Sequence, residues 1–231
     1  VEAYSKFGKA ISQIDRDIVF SICEWGTAKP WLWGEKVGGN CWRTTGDIVD
    51  TWESISKIGF SQGDLWQYAR PGHWNDPDML VVGKVGWGPN LHPTRLVPDE
   101  QYTHISLWSL LSSPLLIGCD MNSMDDFTYS LLSNDEVIAV NQDSLGSQAK
   151  QITKGDSQIW IRDLNDGSKA VGLFNLDSTE HKIDFKFLDA GINGKYKIRD
   201  LWRQKDLDEF SDSFETTVPA HGVVLIKMMI K

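Results

Sequence analysis

Apolar residues follow two different periods along the chain, and the change falls near residue 147. Before that point, short apolar runs typical of buried strands alternate with segments whose apolar residues recur at helical spacing. The pattern predicts strands at 18–22, 79–82 and 115–117, and helices at 47–58, 98–111, 124–132 and 134–141. Such alternation is typical of parallel βα units in series.

After residue 150 the period becomes two, as expected for strands with one buried face. The predicted strands are 158–162, 170–174, 182–187, 196–201 and 223–226. Turn signals such as Asn165-Asp166-Gly167 separate them, which favours an antiparallel sandwich. The acidic run 206–209, His181 and His221 are expected on its solvated surface. We therefore predict two domains, an α/β region at 1–147 and an all-β domain at 148–231.

The α/β region is too short to form a closed eight-stranded barrel. A complete (β/α)8 barrel needs roughly 250 residues, and residues 1–147 supply little more than half of that length. An open sheet of four βα units would be complete at this size.

Composition narrows the function classes. The 23 basic and 32 acidic side chains give a formal net charge of −9, which disfavours nucleic acid as a partner. No apolar run reaches the length of about 20 residues that spans a bilayer, so we expect no membrane-spanning segment. The 11 tryptophans favour a carbohydrate ligand, because flat sugar faces stack on aromatic rings, although core packing explains the count equally well.

The three cysteines, Cys23, Cys41 and Cys119, do not form a disulfide framework and lack the spacing of a metal site. Cys23 and Cys41 could bridge a loop, which would imply an oxidising compartment. Cys119 lies in an apolar run and is expected to be a buried thiol.

Carboxylates and aromatic residues recur where the predicted strands end. Glu24 and Trp25 follow the first strand, Arg43 and Asp47 precede the first helix, and 72–79 precedes the next strand. Ligands of parallel βα proteins bind at the carboxyl ends of strands, so these residues are candidate acids, bases or hydroxyl binders. The alternative is structural: Asp47 would cap a helix, and the Asp residues of 72–79 would shape a turn.

The segments Trp42-Arg43-Thr44-Thr45-Gly46-Asp47 and Trp74-Asn75-Asp76-Pro77-Asp78-Met79 resemble those of glycoside hydrolase family 27, the retaining α-galactosidases or melibiases. The segment 137–146 resembles the end of that family's barrel. The resemblance implies a (β/α)8 TIM barrel followed by an antiparallel β domain, with strands five to eight supplied here. It also implies that the nucleophile, an Asp at the end of the fourth strand, is not in this chain.

Carried over residue by residue, the resemblance makes Asp47 the general acid/base and Arg43 a contact of the sugar 2-position. Asp78, with Met79 beside it, matches a sugar-contacting carboxylate, and Trp25 would form an apolar wall. Glu24 matches the position that separates galactosidases from N-acetylgalactosaminidases. In some members the cysteine matching Cys23 pairs with a downstream cysteine, so Cys41 could be its partner.

The implied activity is hydrolysis of terminal non-reducing α-D-galactosyl residues, with retention and without a metal or organic cofactor. The substrate would be an α-galactoside oligosaccharide or polysaccharide. Alternatives are an α-N-acetylgalactosaminidase, which Glu24 disfavours, a β-L-arabinopyranosidase, or a non-catalytic carbohydrate-binding or interaction module. The missing half-barrel would come from the same polypeptide or from another chain, in a homo-oligomer for instance. The family resemblance makes a secreted or periplasmic location the expectation.

Overall fold

Three parallel strands form the centre of the α/β region. In the computed structural model, which describes residues 1–231, they are β1 (Ser21–Ile22), β2 (Cys41–Arg43) and β3 (Trp74–Asp76), hydrogen-bonded in the order β1-β2-β3. Cys41 of the central strand lies opposite Ser21 on one side and Trp74 on the other. A further parallel pairing consists of one bridge between Leu80 and Ile117.

The observed strands differ from the predicted ones. The strand predicted at 18–22 is paired only at Ser21–Ile22, and those predicted at 79–82 and 115–117 meet only at the Leu80–Ile117 bridge. β2 and β3 instead occupy segments that the sequence analysis treated as polar junctions. A strand of three residues is too short to show a period of two, and its polar members face the site described below.

An antiparallel hairpin follows β3. It consists of β4 (Lys84–Val85) and β5 (His92–Pro93), with Lys84 opposite Pro93 and Val85 opposite His92.

The α/β region contains five helices: α1 (Glu2–Ile11), α2 (Trp52–Phe60), α3 (Pro98–Leu110), α4 (Asp126–Leu132) and α5 (Asp135–Asn141). The helix predicted from residue 47 begins at Trp52, because the Thr51 hydroxyl caps it by accepting from the Ser54 N–H at 3.3 Å. Almost every residue of α3 is buried, so α3 is the central helix of the molecule. None of the helices has the length and apolar character needed to cross a bilayer.

The second half of the chain consists of β-strands and one short 3-10 helix at Phe187–Ala190, so its β character is as predicted. Its strands are β6 (Lys150–Gln151), β7 (Ser157–Asp163), β8 (Lys169–Asn175), β9 (His181–Lys186), β10 (Tyr196–Asp200), β11 (Lys205–Phe210), β12 (Ser213–Val218) and β13 (Val223–Ile230). They form a six-stranded antiparallel sheet in the order β11-β10-β13-β8-β7-β6 and a two-stranded sheet of β12 and β9. Strands β6, β11 and β12 were not predicted; β11 contains the acidic run 206–209, which lies on an edge strand. The boundary at residue 147 stays a prediction.

The six-stranded sheet is buried on both faces. Ile159 and Ile161 of β7 pack into a core of 15 buried residues shared with β9 and β12. Trp160, on the opposite face, belongs to a larger core of 23 buried residues that includes Trp108 of α3 and Val140 of α5. One continuous apolar core therefore joins the β domain to the α/β region.

Arg162 is a buried cation in this contact between the domains. Its guanidinium donates to the Ser109 carbonyl at 2.8 Å and to the Ser112 hydroxyl at 3.2 Å. Burial lowers the pKa of Arg162 to about 10, because the charged form loses water.

His104 is a buried neutral base on α3. Its Nε2 accepts from the Val81 N–H at 3.1 Å, and its ring meets the Trp108 ring edge-on, with 4.2 Å between centroids. Burial lowers the pKa of His104 from 6.5 to about 3, because the core disfavours a charged imidazole. The unfolded chain therefore binds a proton at His104 at a higher pH than the folded chain does.

We expect His104 to make folding stability depend on pH. Its contribution is complete above pH 6.5 and is lost as the pH falls from 6.5 towards 3, at up to about 1.4 kcal/mol per pH unit. His104→Gln should flatten the pH dependence of the free energy of unfolding in this window, measured by urea denaturation. His181→Gln, on the partly exposed strand β9, is the control, and an unchanged slope for His104→Gln would contradict the assignment.

Candidate active site

The carboxyl ends of β2 and β3 bring the candidate residues together. Arg43 is the last residue of β2 and lies opposite Asp76, the last residue of β3. Side chains alternate along a strand, so both occupy one face of the sheet, whereas Trp42 occupies the other. Trp42 is buried there and donates from its indole Nε1 to Asn75 Oδ1 at 2.8 Å. The buried face thereby fixes the direction of the polar face.

Asp78 is the most constrained of the site residues. Its backbone is left-handed, with φ of 87°, and its N–H donates to Asp76 Oδ1 at 2.9 Å. Asp tolerates this region better than most residues, because its short polar side chain bonds locally. The Trp108 indole holds the Asp78 carbonyl at 2.7 Å.

The Asp78 carboxylate binds three donors. Oδ2 accepts from the Ile48 N–H at 2.9 Å and lies 2.6 Å from Arg43 Nη2, while Oδ1 accepts from the Met79 N–H at 2.7 Å. The side chains of Arg43 and Asp78 are only 11% and 12% exposed. Charge-assisted bonds of this kind are short and strong, so the pair fixes the loop that follows β2.

Asp47 lies at the open edge of this arrangement. Its Oδ1 accepts from Arg43 Nη2 at 3.2 Å and from the Trp25 indole Nε1 at 3.0 Å. The side chain is 75% exposed. The structural alternative for Asp47 is wrong, because Thr51 caps α2. Asp47 thus presents a carboxyl group that is oriented through one oxygen and open at the other.

The turn after β1 places Trp25 beside Asp47. Trp25 and Gly26 both have positive φ, 50° and 75°. A Cβ at Gly26 would lie 2.0 Å from the Thr44 carbonyl oxygen, so only glycine allows the turn to approach the Asp47 loop this closely. Glu24, half-buried in the same turn, forms no hydrogen bond or ion pair with Arg43, Asp47 or Asp78.

Asp76 is the buried carboxyl group beneath the site, with 1% of its surface exposed. Burial raises its pKa and the negative charge of Asp78 acts in the same direction, while the Asp78 N–H and the Arg43 charge oppose them. Its Oδ1 supports the Asp78 turn, as the structural alternative for 72–79 anticipated.

Four of the candidate residues predicted from the sequence are in direct contact in the structure: Trp25, Arg43, Asp47 and Asp78. Met79 joins them through its backbone N–H. The contacts made by the Ile48 N–H and by the ion pair of buried Asp50 with Arg95 were not predicted. Asp50 and Arg95 are 45 positions apart, and no local pattern signals that they meet.

The bridge considered possible between Cys23 and Cys41 is absent, since all three cysteines are free thiols. Cys41 lies opposite Ser21, so Cys23 is displaced by two residues along the neighbouring strand. Two residues along one strand and one strand across put the Cα atoms ~8 Å apart, beyond the reach of a disulfide. Cys119 is partly exposed rather than buried.

Two cavities lie at opposite ends of the parallel strands. One of about 570 Å³ includes Asp47 and runs along Thr45, Thr51, Glu53 and Lys57. Another of about 440 Å³ lies at the amino ends of the strands and is lined by residues such as Val19, Cys41, Trp74 and Leu116. Only the first contains a side chain of the Arg43–Asp47–Asp78 group. No group of three or more His, Cys, Asp or Glu side chains is arranged to hold a metal ion.

Residues 1–143 match the family model described as Alpha galactosidase A, and residues 154–228 match the model of the alpha galactosidase C-terminal beta sandwich domain. Alpha-galactosidase 2 of Arabidopsis thaliana is 43% identical over 96% of the chain and 54% of its own length. An alpha-galactosidase of Cyamopsis tetragonoloba is 40% identical over 96% of the chain and 52% of its own length. The chain thus spans about half the length of these curated relatives.

Solved structures give the same result. Alpha-galactosidase I of Mortierella vinacea superimposes with a TM-score of 0.91 at 31% identity, covering 100% of the chain and 63% of that structure. A β-L-arabinopyranosidase of Geobacillus stearothermophilus, from glycoside hydrolase family 27, superimposes with a TM-score of 0.91 at 30% identity. The superposition covers 98% of the chain and 53% of that structure. The predicted fold, part of a TIM barrel followed by a β-sandwich, is confirmed.

We expect Asp78→Ala to destabilise the protein far more than Asp47→Asn does. Losing Asp78 leaves the Arg43 guanidinium buried without its main partner, which costs about 3–5 kcal/mol. Asp47 is mostly exposed, so its replacement should cost less than about 0.5 kcal/mol. Urea denaturation of both variants measures the difference, and equal losses would contradict the central role of Asp78.

Thiol titration tests the free cysteines. Without reductant, the unfolded chain should react with three equivalents of a thiol reagent. In the folded protein exposed Cys23 should react first. Cys41 should react only on unfolding, because it is buried and burial raises the pKa of its thiol. Loss of the fast phase in Cys23→Ser would assign that phase to Cys23. A total of one reactive thiol in the unfolded chain would show that two of the cysteines form a disulfide.

Proposed function

Because the chain belongs to the Alpha galactosidase A family, we propose that it forms the acid/base half of a retaining glycoside hydrolase for terminal α-D-galactosyl residues. The observation that carries the proposal is the setting of Asp47. Trp25 and Arg43 both hold Oδ1, so Oδ2 is free to face a glycosidic oxygen. A general acid must lie within hydrogen-bond reach of the atom that it protonates, and an exposed, oriented carboxyl group meets this requirement.

Retaining hydrolysis uses two carboxyl groups in two steps. In the first step Asp47 would donate its proton to the leaving oxygen while a second carboxylate attacks the anomeric carbon. In the second step Asp47 would take a proton from water, and the resulting hydroxide oxygen would displace the enzyme carboxylate from the sugar. Both steps invert the anomeric carbon, so the overall configuration is retained.

The second carboxylate, the nucleophile, is proposed to come from outside these 231 residues. Asp78 is bound at both oxygens, and Asp76 is buried, so neither is free to attack. Apolar side chains beside the parallel strands are also uncovered: Val19 is 78% exposed and Leu116 is 50% exposed. A further set of strands, from the same polypeptide or a second chain, would bury these side chains and bring a nucleophile opposite Asp47.

Substrate choice is proposed to depend on Arg43 and Glu24. Arg43 projects from the strand end beside Asp47, where a hydroxyl at the sugar 2-position could accept from its guanidinium. A carboxylate at Glu24 can accept from a 2-hydroxyl, whereas an N-acetyl group needs more room. The β-L-arabinopyranosidase neighbour makes that pentoside the second candidate substrate, so both sugars belong in the assay.

We expect Asp47→Asn, in a full-length protein that includes this chain, to slow hydrolysis according to the leaving group. For α-galactosides with poor leaving groups, which need protonation, the loss should be on the order of 10²- to 10⁴-fold. Nitrophenyl α-galactoside should lose much less in kcat/KM. Asp208→Asn, an exposed carboxylate of β11, is the matched control.

The outcome also tests the division of the site. Activity in the full-length protein but not in the 231-residue chain would support a nucleophile outside this chain. Equal loss on all leaving groups would remove Asp47 from the acid/base role. Galactoside binding without hydrolysis by either protein would favour the carbohydrate-binding module.

A further inference from the structure

The loop that carries Asp47 has a second attachment in addition to the bond between Ile48 and Asp78. This second attachment is made by Asp50, three residues after Asp47. Asp50 Oδ1 lies 2.6 Å from Arg95 Nη2 and 3.2 Å from Arg95 Nε, and Asp50 Oδ2 accepts from the Arg95 backbone N–H at 2.9 Å. Both carboxylate oxygens of Asp50 are therefore held by a single residue. Asp50 is 6% exposed at its side chain, while the Arg95 side chain is 59% exposed.

Arg95 is itself fixed to the segment that follows β3. The neighbouring Thr94 donates its N–H to the Gly83 carbonyl at 2.7 Å and its hydroxyl to the Val81 carbonyl at 2.8 Å. Leu96, on the other side of Arg95, is buried in the large core. Arg95 thus extends from a rigid backbone, just after the β4–β5 hairpin.

The two attachments lead to the same part of the fold. Ile48 binds the Asp78 carboxylate directly, and Asp50 binds the 78–83 segment through Arg95 and Thr94. Asp47 precedes both anchors and is mostly exposed, with only side-chain contacts to Arg43 and Trp25. Val49, between the two anchors, is tied to α2 instead, because its N–H donates to Ser54 Oγ at 3.0 Å. Arg95 is therefore the contact that holds the Asp50 side of the loop against the segment after β3, and without it the Asp47 carboxyl group would move relative to Arg43.

The Asp50–Arg95 contact favours an ionised Asp50. Burial opposes ionisation, but the hydrogen bonds and charge of Arg95 outweigh it and hold the pKa of Asp50 below its ordinary value. The anchor is therefore an ion pair with two-point geometry, which restricts orientation better than a single contact does.

We propose that Arg95 is a positioning residue for the general acid/base, which it serves by locking the Asp47 loop through Asp50. The inference rests on the proposed function, because it assigns Arg95 no contact with substrate. A displacement of about 1 Å at a catalytic group can cost on the order of 100-fold in rate. Replacing Arg95 should therefore slow hydrolysis in the same way as replacing Asp47, but to a smaller extent.

The test compares Arg95→Ala, Arg95→Lys and Asp47→Asn in the full-length protein, using aryl α-galactosides with leaving groups of graded acidity. For Arg95→Ala we expect kcat/KM to fall on the order of 10- to 100-fold for poor leaving groups and less than about 3-fold for the most acidic one. KM should change little, because no sugar contact is removed. Arg95→Lys keeps one charged contact and the backbone N–H, so it should recover part of the loss.

A double mutant separates positioning from general destabilisation. If Arg95 acts through Asp47, adding Arg95→Ala to Asp47→Asn should lower the rate with poor leaving groups by less than about 2-fold. Arg203→Ala is the matched control, since Arg203 also binds a buried Asp through its backbone N–H and guanidinium. Its exposure, 72% against 8% for Asp200, resembles that of the Arg95–Asp50 pair. It should leave the leaving-group profile unchanged.

Each result has one meaning. A uniform loss for Arg95→Ala across all leaving groups, or a full multiplicative loss on top of Asp47→Asn, overturns the proposal even if the enzyme is an α-galactosidase. A flat profile for Asp47→Asn overturns the proposed acid/base assignment instead, and the role of Arg95 falls with it. Graded profiles for both variants with a non-additive double mutant support the inference.

Discussion

The carboxylate of Asp78 is the constraint on which the site depends. The left-handed backbone of Asp78, two residues after β3, turns this side chain back towards β2, where it meets both the Arg43 guanidinium and the Ile48 N–H. One side chain therefore ties the ends of two parallel strands to the loop between β2 and α2. The cost of the unusual backbone, on the order of 1–3 kcal/mol, is offset by the Asp76 and Trp108 contacts that hold it.

The β domain supports this site although no strand of it reaches Asp47. Asn75, on the buried face of β3, donates to Gln148 Oε1 at 2.9 Å, and Gln148 donates to the Gln62 carbonyl at 2.7 Å. Gln148 lies two residues before β6, so the link between the domains is part of the hydrogen-bond network behind the site. Together with the shared apolar core, this network makes the β domain a rigid backing for α3 and the strands.

The sequence predicts much of this arrangement because chemistry and spacing coincide there. Helix signals around Pro98 and Asn134 are local, and so is the alternation along β7 and β13; the corresponding elements were confirmed. The motifs placed Arg43 and Asp78 at converging strand ends. What the sequence could not predict depends on distant pairing. The sequence of β11 is typical of an acidic loop, and only its pairing with β10 identifies it as a strand. The contact between Arg95 and Asp50 joins residues far apart in the sequence, so no local pattern indicates it.

The two outer strands of the six-stranded sheet have a consequence for self-association. β11 carries Lys205, Asp206, Asp208 and Glu209 along an exposed edge, and β6 at the other edge has only two residues. Short or charged edges are poor templates for another strand, so the six-stranded sheet resists extension. β1 is as short as β6, but neither Ser21 nor Ile22 is charged, and no strand lies beside its outer edge. We therefore expect intermolecular pairing to start at the parallel strands, where an added strand continues the barrel instead of building a fibril.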